Sequence, residues 1–124
     1  MRFLGARAFF SLILFDVYLA RGKFAALHAR VKKFRVSPAK HPALTVQEIC
    51  AAVDLACIWY PKEVLCLQRS ATTACLLKQC GISAQMVVGA RLMPFKAHAW
   101  VEVGGRVVND KSYMPEMYSV LERC

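Results

Sequence analysis

Apolar residues recur at three- and four-residue steps through the first third of the chain, which is the spacing of a helix face. The positions that form this predicted face are Phe3, Phe10, Ile13, Leu14, Val17, Ala20, Phe24, Leu27 and Val31. Interleaved arginines and lysines would make the other face basic. Ser37-Pro38 and His41-Pro42 then interrupt the pattern, because the residue before a proline disfavours helical geometry. The sequence therefore predicts helices that end at a joint over residues 37–42.

Two more helices are predicted after the joint. Thr45 and Glu48 have the spacing of a capping box, in which Thr45 is the N-cap and Glu48 reaches back to it. This helix ends at Pro61, and its expected inward face consists of Val46, Ile49, Cys50, Val53 and Cys57. The next helix begins near Val64–Cys66 and runs to Cys80, where Gly81 is expected to cap it.

Beyond that helix the pattern is typical of strands. Ala84–Leu92 and Lys96–Val103 are predicted strands, and a Gly104-Gly105 turn leads into a third strand over Arg106–Asp110. Helices followed by an antiparallel hairpin sheet predict an α+β fold, in which a helix packs on a small antiparallel sheet.

Length and charge divide this single predicted domain into two parts. The chain has 124 residues, enough for one core, and its 57% hydrophobic content excludes disorder. Of the formal net charge of +9, residues 1–40 hold +8, from nine basic residues against Asp16. We therefore predict a basic helical arm (residues 1–40) packed on a nearly neutral body (residues 41–124). Such an arm suggests a nucleic-acid or anionic-membrane partner.

The N-terminus and the cysteines bear on the cellular compartment. The longest uncharged run near the N-terminus, Ala8–Phe15, is too short for a membrane span, which needs about 20 residues. A signal peptide would also begin with basic and apolar residues, but Asp16 interrupts the run early. The six cysteines form no Cys-x-x-Cys pair, so we expect reduced thiols, no metal, no cofactor and a cytoplasmic protein. Secretion with a disulfide framework is the alternative.

Three residues are candidates for nucleophilic catalysis. Cys66 falls in the first turn of a predicted helix, where unpaired amides and the helix dipole favour a thiolate. His98 interrupts a strand of small and apolar residues, and Asp110 ends the neighbouring strand, where it would orient the imidazole. Each residue alone also fits a structural role, as core cysteine, satisfied strand histidine or turn aspartate.

The hairpin register tests this arrangement. A two-residue Gly104-Gly105 turn would place Asp110 opposite Ala99, on the face away from His98. A three-residue turn that includes Val103 would place Asp110 directly opposite His98. The catalytic hypothesis therefore predicts a three-residue turn or a bulge, and an unbulged two-residue turn would make Asp110 the wrong orienting residue.

Four blocks of sequence together resemble one family. The blocks are VLCLQRS (residues 64–70), CGISA (80–84), PFKAHAWVEV (94–103) and VVND (107–110). Over about residues 45–113, they are similar to the lasso-peptide leader peptidases, which are transglutaminase-like cysteine proteases. The blocks in this order are fairly specific, whereas one alone would not be.

The resemblance implies a transglutaminase-like, papain-like core with Cys66, His98 and Asp110 as catalytic triad. It also implies that Arg69 and Trp100 support the site, Arg69 by pairing with a local carboxylate or carbonyl and Trp100 by packing beside it. The implied reaction removes the leader from a ribosomally made precursor, so that a separate ATP-dependent cyclase can close the macrolactam ring. Backbone amides at the helix start would hold the oxyanion.

The sequence departs from the family in two respects. Gln68 stands where many members have proline, and the chain has no room for the leader-recognition domain that some members carry. It therefore resembles the standalone protease that works with a separate leader-binding protein. The basic arm would dock this protein, the leader or the cyclase, or touch a membrane surface; the alternative is a solvated basic face that binds none of them.

Two other functions remain open at this stage. A small basic module would bind phosphates or anionic lipid, although the body contains no nucleic-acid motif and we expect no nucleic-acid partner. A transglutaminase-like acyl transferase would use the same three residues, so the sequence alone does not separate it from a peptidase.

Overall fold

The computed structural model describes residues 2–37, 45–92 and 95–124. Along this part of the chain the elements are α1 Arg2–Ala20, α2 Phe24–Lys33, α3 Val46–Trp59, α4 Cys66–Gln79, β1 Ala84–Arg91, β2 Lys96–Val103, β3 Arg106–Val107, α5 Met114–Met117 and β4 Ser119–Arg123. The strands form one antiparallel sheet in the order β3-β2-β1-β4. The α+β fold with a helix packed on a small antiparallel sheet is confirmed.

Each face of the sheet contributes to a separate hydrophobic cluster. Met86 and Val101 are cross-strand partners and face the main core, which includes residues of α1, α2, α3 and α4. Val87 and Trp100 are the next pair and face a smaller cluster with residues of the C-terminal segment. Because side chains alternate along a strand, His98 shares the face of Trp100, whereas α4 covers the other face.

The predicted inward face of the N-terminal helices is wrong for α1. The side chains that α1 buries are Leu4, Ala8, Leu12 and Phe15, and those it exposes include Phe10, Ile13, Leu14 and Val17. The pattern does not fix the rotation of α1, because apolar residues occur around its whole circumference. In α2, Leu27 and Val31 are buried as predicted, but Phe24 is exposed. Ala20, the last residue of α1, is also exposed.

Side-chain contacts join α1 to the rest of the core. Asp16 accepts a hydrogen bond of 2.8 Å from the Tyr60 hydroxyl and forms an ion pair of 2.8 Å with Lys62. Gln68, in the first turn of α4, donates a buried hydrogen bond of 2.6 Å to the Leu12 carbonyl. Residues 1–40 are therefore, over their described part, an integral layer of the core. No helix in the described ranges is long and apolar enough to cross a membrane.

The central helices follow the prediction closely. The Thr45 hydroxyl accepts from the Glu48 amide at 3.1 Å and also lies 3.3 Å from the Glu48 carboxylate, so the predicted N-cap is present. Gly81 follows α4 with a φ of +82°, which is the left-handed geometry expected of a C-terminal cap. The predicted joint after Ser37 lies mostly outside the described residues.

Two predictions about the C-terminal third are wrong. The third strand covers only Arg106–Val107 instead of Arg106–Asp110. Its turn has two residues, Gly104 and Gly105, both with positive φ, and the expected three-residue turn is absent. The short helix α5 and the strand β4 were not predicted, because residues 113–124 contain no clear period and Pro115 alone does not define a helix.

Candidate active site

His98 and Asp110 are in direct contact. The Nε2 atom of His98 lies 2.6 Å from Oδ2 of Asp110, with about a fifth of each side chain exposed. A carboxylate only accepts hydrogen bonds, so Nε2 carries a proton, and in the neutral imidazole this leaves Nδ1 as an acceptor. A strand that continued to Asp110 in this register would not make the contact, which forms because β3 ends at Val107.

The charge of Asp110 is stabilised locally. Burial raises the pKa of its carboxyl group, but hydrogen bonds from His98 and from the Lys111 amide at 2.8 Å lower it, as do favourable electrostatic interactions with His98 and Arg69. The net pKa of Asp110 is lowered, because these interactions together outweigh burial. Asp110 is therefore ionised at neutral pH and holds the imidazole in one orientation.

Aromatic rings enclose the imidazole of His98. Its ring centroid lies 5.5 Å from that of Tyr118 and 6.2 Å from that of Trp100, both in stacked geometry. Trp100 is fully buried and donates from Nε1 to Glu102 at 2.9 Å. Glu102 is itself paired with Arg123. The structure thus places Trp100 beside His98, which is the position that the sequence resemblance implied.

Cys66 is the first residue of α4, and its side chain is half-buried. No side chain caps this helix, and the first intrahelical bond runs from the Arg69 amide to the Leu65 carbonyl at 3.0 Å. The start of α4 thus differs from the start of α3, which Thr45 caps. Uncapped first-turn amides are available for an oxygen anion.

The helix α4 contacts β2 next to His98, one turn after Cys66. Ser70, one turn after Cys66, donates a hydrogen bond of 3.0 Å to the carbonyl of Ala99, the residue after His98. Asn109 contacts Ser70 of α4, while the next residue, Asp110, contacts His98. Within the described residues Cys66 makes no hydrogen bond to His98. The structure therefore brings His98 and Asp110 together, and Cys66 begins the helix whose Ser70 contacts Ala99 and Asn109. The catalytic role of the three residues stays a prediction.

Arg69 lies on the same helix and pairs with a carboxylate, as the resemblance implied. Its Nη2 atom is 2.5 Å from Oδ1 of Asp54 on α3. These two residues and Val64 line an open cavity of about 420 Å³. A separate cavity of about 710 Å³ borders Tyr118. Neither cavity is lined by Cys66, His98 or Asp110.

The thiols of the core have a different environment. Burial raises the pKa of Cys50 and of Cys75 to about 11. Burial also raises the pKa of Cys57, Cys80 and Cys124. A thiol held in its neutral form is a weak nucleophile, so these five residues act as small hydrophobic side chains. None of the six cysteines, all within the described ranges, forms a disulfide.

A metal site does not emerge from the described residues. No group of three or more His, Cys, Asp or Glu side chains is placed to hold an ion among residues 2–37, 45–92 and 95–124.

Two residues of the site were missed at the level of sequence. Gly89 on β1 is the cross-strand partner of His98, and a Cβ atom there would lie 2.8 Å from Cη2 of Trp100. Asn109 accepts a hydrogen bond of 2.7 Å from the Val101 amide. The Asn-Asp pair in the sequence was a signal for Asn109, but no pattern indicated the role of Gly89.

Comparisons with known proteins place these features in context. The family model described as "Transglutaminase-like superfamily" matches residues 11–123, which is most of the chain. A curated relative, the microcin J25-processing protein McjB of Escherichia coli, is 43% identical over 56 residues. The match covers 45% of this chain and 27% of the relative, so the chain spans about a quarter of that protein's length. No solved structure matches the chain significantly.

Proposed function

This chain belongs to the transglutaminase-like superfamily, and on that premise we propose that it is a cysteine peptidase that removes the leader from a lasso-peptide precursor. The observation that carries the proposal is the 2.6 Å contact of His98 with Asp110. The uncapped start of α4 at Cys66 supports it. A nucleophile at a helix start, an imidazole and an orienting carboxylate are the three groups that a cysteine peptidase needs.

In the proposed mechanism His98 moves the protons. Its Nδ1 atom accepts the thiol proton of Cys66, and Sγ attacks the scissile carbonyl carbon. The carbon–nitrogen bond then breaks, and the imidazolium returns the proton to the leaving amine of the core peptide. Water hydrolyses the remaining thioester, with His98 as base, and releases the leader as a carboxylic acid. Asp110 stabilises the imidazolium while the charge is present.

The helix start stabilises the developing negative charge in this proposal. The amides of Cys66 and Leu67 belong to the first turn of α4, where no side chain competes for them. Preorganised amides at such a position lower the barrier most when water is excluded. In free enzymes the contact between nucleophile and base is often loose and tightens when substrate binds. The proposed mechanism requires such a change here, because Cys66 and His98 form no hydrogen bond in the structure.

Two observations support lasso-peptide processing as the context of the reaction. The sequence blocks around Cys66, His98 and Asp110 resemble lasso-peptide leader peptidases, and the curated relative is named for processing microcin J25. The partners that follow are a precursor peptide with its leader, a separate leader-binding protein and an ATP-dependent macrolactam cyclase. The peptidase would act in the cytoplasm, before the cyclase.

Cleavage of a precursor peptide in the presence of the leader-binding protein tests this proposal. We expect wild-type protein to release leader and core, and Cys66→Ala to release neither. Cys57→Ala is the matched control, because Cys57 is also half-buried in a helix but lies in the last turn of α3 instead of at a helix start. Cleavage that persists in Cys66→Ala, or is lost only in Cys57→Ala, contradicts the proposal.

The same assay separates hydrolysis from acyl transfer. In water enriched in ¹⁸O, hydrolysis places the label in the new carboxylate of the leader. An acyl transferase would instead join the leader to an added amine without the label. We expect labelled leader as the main product.

We further propose that α1 meets the leader-binding protein through its exposed apolar residues. Phe10 is 69% exposed and Val17 is 45% exposed, although an apolar helix face normally packs against another surface. Phe10→Ser should weaken binding to that protein in a calorimetric titration, whereas Leu55→Ser, at a residue of α3 that is 57% exposed, should not. Equal affinity of Phe10→Ser and wild type would refute this assignment, and loss of binding to anionic vesicles instead would indicate a membrane contact.

A further inference from the structure

The register of the β2–β3 hairpin does not by itself explain the contact between His98 and Asp110. Its two-residue turn pairs Glu102 with Val107 and Val103 with Arg106. In that register a continuous strand would direct Asp110 to the face opposite His98, since neighbouring residues alternate between faces. Yet Asp110 is within 2.6 Å of His98. The chain must therefore leave the strand between Val107 and Asp110.

Asn109 ends the strand by replacing a backbone acceptor. The Val108 amide still donates to the Val101 carbonyl at 2.9 Å, as the register requires. In a continuing antiparallel ladder the Val101 amide would donate to the Val108 carbonyl in return. Here it donates instead to Oδ1 of Asn109, at 2.7 Å. Because the Asn109 side chain occupies the acceptor position, the main chain is free to turn and carry Asp110 to His98.

The other end of the same amide contacts α4. Nδ2 of Asn109 donates to the Ser70 hydroxyl at 3.2 Å, and that hydroxyl donates to the Ala99 carbonyl at 3.0 Å. Ser70 is 1% exposed, so these bonds form with little competition from water. Ser70 lies one turn after Cys66, and Ala99 follows His98. Asn109 thus touches the helix and the strand that carry the other two residues of the candidate site.

We propose that Asn109 is the positioning residue that sets the His98–Asp110 pair in place and holds this pair against α4. An amide suits both tasks, because its oxygen accepts from Val101 while its nitrogen donates to Ser70. The placement of Asp110 by Asn109 is independent of the reaction, whereas its effect on rate rests on the proposed peptidase function. Asn109 acts through Asp110 and touches no reacting atom.

The tautomer of His98 reports the placement without any substrate. In full-length protein with ¹⁵N-labelled histidine, we expect Nε2–H to dominate in wild type, because Asp110 accepts from that nitrogen. Asn109→Ala should lose this preference to the same extent as Asp110→Ala. Asn109→Asp keeps the oxygen that Val101 requires, so it should restore the preference. His98→Gln assigns the signals.

Kinetics test the consequence for catalysis. We expect Asn109→Ala to lower kcat about 100-fold with little change in KM, since a displacement of about 1 Å at a reacting group has an effect of that size. The double variant Asn109→Ala/Asp110→Ala should be no slower than Asp110→Ala, because both changes remove the same interaction. Val53→Ala, a core change in α3, should lower thermal stability without altering the His98 tautomer.

The outcomes separate the two proposals. An unchanged His98 tautomer in Asn109→Ala, or independent and additive effects of Asn109→Ala and Asp110→Ala on kcat, would overturn the role of Asn109. If Asn109→Ala does not fold, Asn109→Gln decides, because it keeps the amide but moves its oxygen by one methylene away from the Val101 amide. Loss of the tautomer preference in Asn109→Gln supports the role, and an unchanged preference overturns it. If wild-type protein cleaves no peptide, the peptidase proposal fails while the tautomer measurement still decides on Asn109.

Discussion

Replacing Gly89 with alanine tests whether the aromatic enclosure fixes the position of His98. Gly89 is the cross-strand partner of His98, so any side chain there enters the space beside the imidazole. A Cβ atom would lie 2.8 Å from Cη2 of Trp100 and 2.9 Å from Cβ of Tyr118. Trp100 is fully buried and hydrogen-bonded to Glu102. The Cβ of Tyr118 is attached directly to the backbone, so neither neighbouring atom can move away easily.

The expected cost follows from these contacts. An extra methyl group in a filled core destabilises a protein by about 1–3 kcal/mol. Alanine recovers about 0.5–1 kcal/mol of that through the lower chain entropy of the unfolded state. We therefore expect Gly89→Ala to lose about 1–2 kcal/mol in urea unfolding, which corresponds to a Tm about 4–8 °C lower for a chain of this size. We also expect slower peptide cleavage, because the displaced rings press on His98.

Gly5 provides the matched control for this change. It lies in α1, and a Cβ atom there would meet nothing within 4 Å. Gly5→Ala should therefore raise stability by about 0.5–1 kcal/mol and leave cleavage unchanged. Adding Trp100→Phe to Gly89→Ala removes Cη2 and should restore part of the loss. Wild-type stability and cleavage in Gly89→Ala would refute the reasoning.

Three other predictions concern charge, catalysis and the contact with α1. The pKa of Asp110 is lowered in the folded protein, so the ionised carboxylate stabilises the fold above about pH 4, and this stabilisation is lost as the pH falls through the folded pKa. The difference in urea midpoint between wild type and Asp110→Asn should therefore shrink between pH 7 and pH 3. In peptide cleavage, Asp110→Ala should be slowed less than Cys66→Ala or His98→Ala, since the fold also orients the imidazole, and equal losses would contradict this. Gln68→Leu should lower the free energy of unfolding by about 1 kcal/mol through loss of its bond to the Leu12 carbonyl, and an unchanged urea midpoint would show that the bond contributes nothing.

Local signals in the sequence were sufficient for the central elements. Thr45 caps α3 through its own hydroxyl, and Gly81 ends α4 through its positive φ, so neither depends on distant contacts. The strand Lys96–Val103 has the predicted bounds because glycines mark its end. Cys66 and His98 lie on these elements as predicted, and their catalytic role, inferred from residue type and position in the element, stays a prediction.

Contacts between elements determine the rotation of α1 and the end of β3, which the sequence did not predict. The helix α1 is apolar on every side, so only contacts such as that of Gln68 with Leu12 determine that Phe15 faces inward and Phe10 outward. The hairpin register was extrapolated to Asp110 from its turn, but a side-chain bond from Asn109 ends the strand early. The hydrophobic period of one element gives no information about either contact. Gln68 of α4 bonds to Leu12 of α1, and Asn109, which follows β3, bonds to Val101 of β2.

The mass of the intact protein during turnover tests the central claim most directly. If Cys66 attacks the scissile carbonyl, rapid acid quenching after mixing with precursor and leader-binding protein should trap wild-type protein with the leader attached as a thioester. Peptide mapping should place this adduct on Cys66, and Cys66→Ala should show none. Cleavage of the precursor with the adduct on Cys57 or another cysteine, or undiminished cleavage by Cys66→Ala, would contradict the account.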